Sequence, residues 1–156
     1  MATSKKPATR APSGESESEP DKIVITLAVS PFDDDRNILR EIFSHTNWKL
    51  LEAGTCKEAV DIVRSGRIPV VLTECNLPDG KWQDILSGVT DTSNPPCLIV
   101  SSRLADERLW AEVLNEGGYD LLPKPFESRE VTRVISLAWL HWKNQLERTL
   151  KRMRAG

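Results

Sequence analysis

The stretch VVLTECNLPDG, residues 70–80, runs three apolar residues and a threonine straight into an acid, Glu74, and closes on Pro78, Asp79 and Gly80. Apolar runs bounded by turn residues mark strands buried on both faces. An acid at the carboxyl end of such a strand is costly to bury unless a partner or a ligand answers its charge.

The same texture repeats on both sides of that strand. KIVITLAV (22–29) is a continuous apolar strand, and DDDRNILREIF (33–43) sets Ile38, Leu39, Ile42 and Phe43 at helical spacing behind acids suited to a helix N-terminus. WKLLEA (48–53) reads as a strand, and CKEAVDIVRSG (56–66) as a helix stopped by a glycine cap at Gly66. IPVVLTE (68–74) is the third strand, and GKWQDILSGV (80–89) a short helix. PPCLIVSS (95–102) is a fourth strand, and ADERLWAEVLNEGG (105–118) a helix ended by Gly117 and Gly118. YDLLP (119–123) is a short fifth strand, followed by one long amphipathic run over residues 128–154.

Strands that alternate with helices in this way argue for βαβ units and a parallel sheet covered on both faces. Right-handed crossovers then select an α/β, three-layer, doubly wound (βα)5 layout, flavodoxin-like, with strand order 2-1-3-4-5. Ligands of such sheets gather at the carboxyl ends of the strands. Ser30, Pro31 and the acids that follow, Glu74, Ser101 and Lys124 all fall on that rim. Acids, a hydroxyl and a lysine together suit a phosphoryl or magnesium site, since magnesium takes oxygen ligands and a lysine neutralises phosphoryl charge.

Length and composition bound the rest. The 156 residues suggest one domain, residues 21–142, with chain left over, and the 39% hydrophobic and 28% charged content is that of a soluble globular protein. A net charge of −2 gives no reason to expect nucleic acid, and no apolar run approaches the ~20 residues of a membrane span. The N-terminus lacks a signal-peptide core, and Cys56, Cys75 and Cys97 are odd in number and far apart, so a cytoplasmic protein with reduced thiols is expected. Cys75 reads as a packed strand-end residue rather than a redox sensor, and His45 and His141 as surface residues. Residues 1–20 lack large apolar side chains after Met1 and read as a disordered tail.

The motifs LTECNLPDG and YDLLPKPF, with PPCLIVSS and EAGTCKEAV in support, resemble those of the receiver domains of bacterial two-component response regulators, over about residues 22–140. The resemblance implies that Glu74 stands at the phosphoacceptor position, where the family has aspartate. It places the family's Ser or Thr on Ser101, its Lys-Pro on Lys124 and Pro125, with Pro125 a cis-proline candidate, and its acidic pair on Ser30 and Pro31. Proline offers no side-chain ligand and serine no charge, so the implied protein is a pseudo-receiver that does not take phosphate in the usual way. No cofactor is expected, and magnesium is held weakly at most.

Glu74 is expected to pair with Lys124 and to accept a hydrogen bond from Ser101. It carries one charge and two oxygens against a phosphate's ~−2 and three, so it mimics a phosphoryl group only in part. A domain fixed partway to its activated shape and a rim merely stabilised by an ion pair remain open. Asp33, Asp34 and Asp35 read as a capping acidic cluster at a helix start, with one substitute acid as the alternative. Asp79 reads as a turn acid. A phosphorylatable receiver using Asp79 or a rearranged Asp33–Asp35 cluster is one alternative. A flavodoxin-like ligand binder or enzyme is another, disfavoured because SPFDDD would repel a phosphate.

The family's switch position, an aromatic on strand five, falls on Leu121. Trp110, Leu121 and Trp139 are the expected partner face, with at least one of Trp139 and Trp142 in the core. The partner is expected to be a protein, such as a histidine kinase or another signalling protein. Beyond Trp142, Leu146, Leu150 and Met153 continue an apolar stripe among basic residues, so residues 143–156 read as a basic extension of the last helix, available for homodimerisation. A nucleic-acid arm is disfavoured, no membrane role is expected, and no effector domain is expected to follow.

Overall fold

The computed structural model describes residues 23–155. The expected tail over residues 1–20 lies outside the described residues. In chain order the elements are β1 (Ile25–Val29), α1 (Asp33–Ser44), β2 (Lys49–Ala53), α2 (Cys56–Ser65), β3 (Val70–Glu74), β4 (Asn76–Leu77), β5 (Gly80–Lys81), α3 (Trp82–Val89), β6 (Cys97–Ser102), α4 (Glu107–Asn115), β7 (Asp120–Pro123) and α5 (Ser128–Ala155).

Five strands form one parallel sheet in the order β2-β1-β3-β6-β7, the expected 2-1-3-4-5 topology once the small β4–β5 hairpin is set aside. The period of two along each strand divides the core. Leu27, Val29, Val71, Leu98 and Val100 face one layer with residues of α2, α3 and α4, including Ala59, Trp82, Ile85 and Val113. Ala28, Val70, Leu72, Ile99 and Leu122 face the other with Leu39, Ile42 and Phe43 of α1 and Val131, Ile135, Ala138 and Trp142 of α5. Each fully buried aliphatic side chain of this kind contributes about 1.5–3 kcal/mol over its exposed state.

The loop read between Glu74 and the third helix contains an antiparallel hairpin, with Asn76 opposite Lys81 and Leu77 opposite Gly80. Its turn carries Asp79 to the start of α2, where its two carboxylate oxygens accept from the backbone N–H groups of Cys56 (2.8 Å) and Lys57 (3.1 Å). A Cβ at Gly80 would crowd the Asp84 carboxylate, which accepts from the Lys81 N–H (2.8 Å), and the Cys56 thiol. Gly66 follows α2 in extended backbone, φ −148°, rather than in the left-handed cap expected of a glycine stop. Gly117, φ 108°, does adopt the left-handed turn after α4.

α4 is held lightly, burying only Val113, whereas α5 buries Trp142 and Leu146 well along its length. Leu146 packs in the same cluster as Trp142, while Leu150 and Met153 are exposed, so the apolar stripe turns away from the body only after residue 146. Among the described residues no helix is long and apolar enough to cross a membrane.

Candidate functional site

The parallel sheet brings the ends of β1, β3 and β6 and the segment after β7 to one rim, because every strand points the same way. Lys124 is positioned by its own N–H, which donates to Ser102 O (3.0 Å); the Lys124–Pro125 peptide is cis, at the residue expected for one. Its side chain is 4% exposed, and the ammonium lies 2.7 Å from Asp35 Oδ2 and forms a second ion pair with Glu74 Oε1. The Glu74–Lys124 pair is the one anticipated from the sequence. Glu74 Oε1 is fully enclosed and accepts no other hydrogen bond. The ring of Phe32 covers the ammonium, with its centroid 5.1 Å away.

Asp35 corrects the reading of the acidic cluster. Phe32, not an acid, occupies the N-cap of α1, and no side chain caps it. Asp33 points outward to pair with Arg36, and Asp34 is exposed. Asp35 instead lies on the inward stripe with Leu39, Ile42 and Phe43, and is 4% exposed. Its Oδ2 accepts from Ser30 Oγ (2.7 Å) as well as from Lys124. Ser30 Oγ in turn accepts from the N–H of Phe32 (3.1 Å), and Ser30 O accepts from Arg36 (2.6 Å). Position 30 therefore works as a hinge of hydrogen bonds that hands a carboxylate from the helix back to the rim. The signal for this was the phase of Asp35, four residues before Leu39 and seven before Ile42.

Ser101 also departs from expectation. It sits beside Glu74 in the β3–β6 register, yet its hydroxyl donates to Thr73 O (3.3 Å) and not to the glutamate. The Ser101 side chain is 2% exposed and turned toward the backbone of β3, while the Glu74 carboxylate is committed to Lys124. Asp79 is engaged by the N-terminus of α2, which uses both of its oxygens, and those backbone donors hold its carboxyl below the usual range.

The magnesium ion that the receiver resemblance implies needs several free oxygens in near-octahedral array. Pro31 supplies no side-chain oxygen, the Ser30 hydroxyl donates to Asp35, and Asp35 and Glu74 both face the ammonium. Among the described residues no group of three His, Cys, Asp or Glu is gathered for a metal. The donor set does not fit that ion.

The thiols are quiet. Burial pushes Cys97 up to about 12 and Cys56 up to about 11, and Cys75 is raised by burial and then by the neighbouring Glu74. Around the expected partner face, Leu121 is half-buried in β7, and Trp110 is exposed, donating its ring N–H to Asp120 (3.3 Å). Trp142 is core, with its ring N–H directed to Asn94 O (3.4 Å). His141, exposed as expected, lies against Tyr119 just before β7 (centroids 5.5 Å apart), and so marks the flank of α5 turned toward β7. Trp139, two residues away and thus about 200° around the helix from His141, is half-buried against the cluster shared by the sheet, α1 and α5. It does not share a face with Trp110.

A family model for the response regulator receiver domain matches residues 32–136. The chain therefore belongs to the receiver domains of two-component response regulators. Among curated proteins it is similar to the transcriptional regulatory protein CpxR of Escherichia coli K12, 28% identical over 119 residues, covering 72% of this chain and 50% of that protein. The chain thus spans about half the length of the curated relatives it matches. Among solved structures it resembles the signal receiver domain of an HD domain-containing protein from Pseudomonas fluorescens Pf-5, at TM-score 0.72 and 22% identity over 80% of this chain and 92% of that one. It also resembles the beryllofluoride-activated NtrC4 receiver domain dimer, at TM-score 0.70 and 20% identity over 77% of this chain and 99% of that one.

Proposed function

We propose that this chain is a pseudo-receiver: it signals by protein–protein contact in a cytoplasmic phosphorelay pathway, without accepting phosphate and without enzymatic activity of its own. In this reading Glu74 occupies the phosphoacceptor position, Ser30 and Pro31 the places of the acidic pair, and Ser101 and Lys124 the rest of a remnant phosphoryl site. One observation carries it. The lysine that would meet a phosphoryl group is buried and committed to two carboxylates, Asp35 and Glu74, of this same chain. Because Ser101 does not turn to Glu74, the glutamate stabilises the rim as an ion-pair partner rather than imitating a phosphoryl group.

The phosphorylatable alternatives lose support from the geometry. Asp79 is spent on the N-terminus of α2, Asp33 pairs with Arg36, and Asp35 is tied to Lys124. Nothing at the rim favours a flavodoxin-like ligand. The contact surface is the edge made by α4, β7 and the β7-facing flank of α5, with Trp110, Leu114, Leu121 and Leu137 as its apolar part. Trp110, Leu114 and Leu137 are 47%, 37% and 46% exposed. A histidine kinase, another signalling protein or a second copy of this chain would meet it there.

Intact-mass measurement after incubation with acetyl phosphate and magnesium tests the reading. The expected result is no phosphoryl adduct on the folded chain. An adduct mapped to Glu74, Asp79 or any of Asp33–Asp35 overturns it.

A further inference from the structure

Asp35, Glu74 and Lys124 come from three separate elements, α1, β3 and the segment after β7, and their side chains are only 6%, 11% and 4% exposed. We infer that the Lys124 ammonium is the built-in counter-ion of this rim, so that the site excludes divalent cations and keeps one shape without them. The inference deepens the pseudo-receiver reading and rests on it, but concerns a different property: what neutralises the site rather than whether phosphate enters it.

Two carboxylates enclosed together repel each other and lose their hydration, so a cation must lie between them. Here the chain supplies it. The ammonium reaches both acids at once, the Ser30 hydroxyl donates to Asp35 and disperses the remaining negative charge, and the Phe32 ring shields the cation. A divalent ion would have to displace an ammonium that is covalently tethered and already desolvated. It would then have to coexist with that positive charge in the same enclosure. A tethered cation cannot wash out, so α1, β3 and the β7–α5 connection stay cross-linked at any magnesium concentration.

The test uses the full chain as wild type, as Lys124→Met, and as the neutral triple variant Asp35→Asn/Glu74→Gln/Lys124→Met. Each is titrated with magnesium chloride against matched sodium chloride, followed by amide NMR and by thermal melts. Wild type is expected to show no magnesium-specific movement at Asp35, Glu74 or Ser101 and no rise in melting temperature. Lys124→Met is expected to melt well below wild type and to recover part of that loss on adding magnesium, with the Asp35 and Glu74 amides shifting. The triple variant is expected to regain most of the lost melting temperature and to ignore magnesium. Millimolar magnesium binding at the wild-type rim overturns the inference. So does a folded Lys124→Met that stays indifferent to magnesium. If Lys124→Met does not fold, the triple variant decides: a melting temperature restored toward wild type supports the inference, and its failure to fold or recover overturns it. A phosphoryl adduct on a wild-type chain that still ignores magnesium would sink the pseudo-receiver reading and leave the counter-ion standing.

Discussion

At the scale of the residue, the rim is decided by which groups are left holding charge when water leaves. Removing one member of a buried ion pair strands its partner, which typically costs about 3–5 kcal/mol, whereas neutralising the whole set costs far less. Lys124→Ala is therefore expected to destabilise the domain by about 3–5 kcal/mol in a urea melt, and Asp35→Asn by a smaller but clear amount. Asp34→Asn, one position earlier and exposed, should stay within about 0.5 kcal/mol of wild type. Equal effects at Asp34 and Asp35 would mean that the acids act only through the helix dipole. Half of this arrangement was legible in the sequence. Glu74 and Lys124 end parallel strands and so had to meet, but Asp35 was hidden by its neighbours, since three acids at a helix start look like a capping cluster. Its helical phase, not its identity, sets it apart. The thiols give a second check: with Cys56 at about 11 and Cys97 at about 12, less than about one in a hundred of either is thiolate at pH 8. Folded protein should react slowly with a disulfide reagent and quickly once unfolded. Rapid reaction of the native chain would place a thiolate where none is expected.

At the scale of the element, the strands were readable because buried parallel strands are continuous apolar runs, and crossover handedness narrowed them to a doubly wound layout, of which 2-1-3-4-5 is a common order. The β4–β5 hairpin was not readable, since two-residue strands carry no period, and what fixes it is Asp79 reaching across to α2. The flank assignment of the tryptophans failed for a related reason. A count of aromatics on α5 does not say which side of the helix meets β7, whereas the Tyr119–His141 contact does. α5 also shows where the packed domain ends. Leu146 is 5% exposed and Met153 71% exposed on one continuous helix. Leu146→Ala should cost about 2–5 kcal/mol, and Met153→Ala should be nearly silent in the same denaturant titration. A large loss at Met153 would show that the basic end of the helix is covered in solution, as a homodimer through that helix requires.

At the scale of the whole molecule, surface carboxylates tie distant segments together, and their sum predicts how the fold responds to acid. Arg40 holds the Glu52 carboxyl low by hydrogen bonding, and Arg64 does the same for Asp91, joining α1 to β2 and α2 to the loop before β6. The backbone donors of Cys56 and Lys57 hold Asp79 low, joining the hairpin to α2. Each of these groups has a folded value below its unfolded one, so the folded state binds its proton less readily. Their stabilisation is therefore present above the unfolded carboxyl values, about 4, and is lost as pH falls through the folded values. The urea midpoint should be flat from about pH 7 to about pH 5 and should drop below about pH 4. Asp79→Asn should lower the midpoint at pH 7, since the amide keeps only one of the two acceptors that α2 uses, and should shallow the acid drop by removing the proton uptake. The same variant should leave magnesium titrations and phosphoryl-donor incubations unchanged, since both Asp79 oxygens are already taken by α2. A steep acid limb that persists in Asp79→Asn would assign the transition to the other two lowered carboxylates, Glu52 and Asp91.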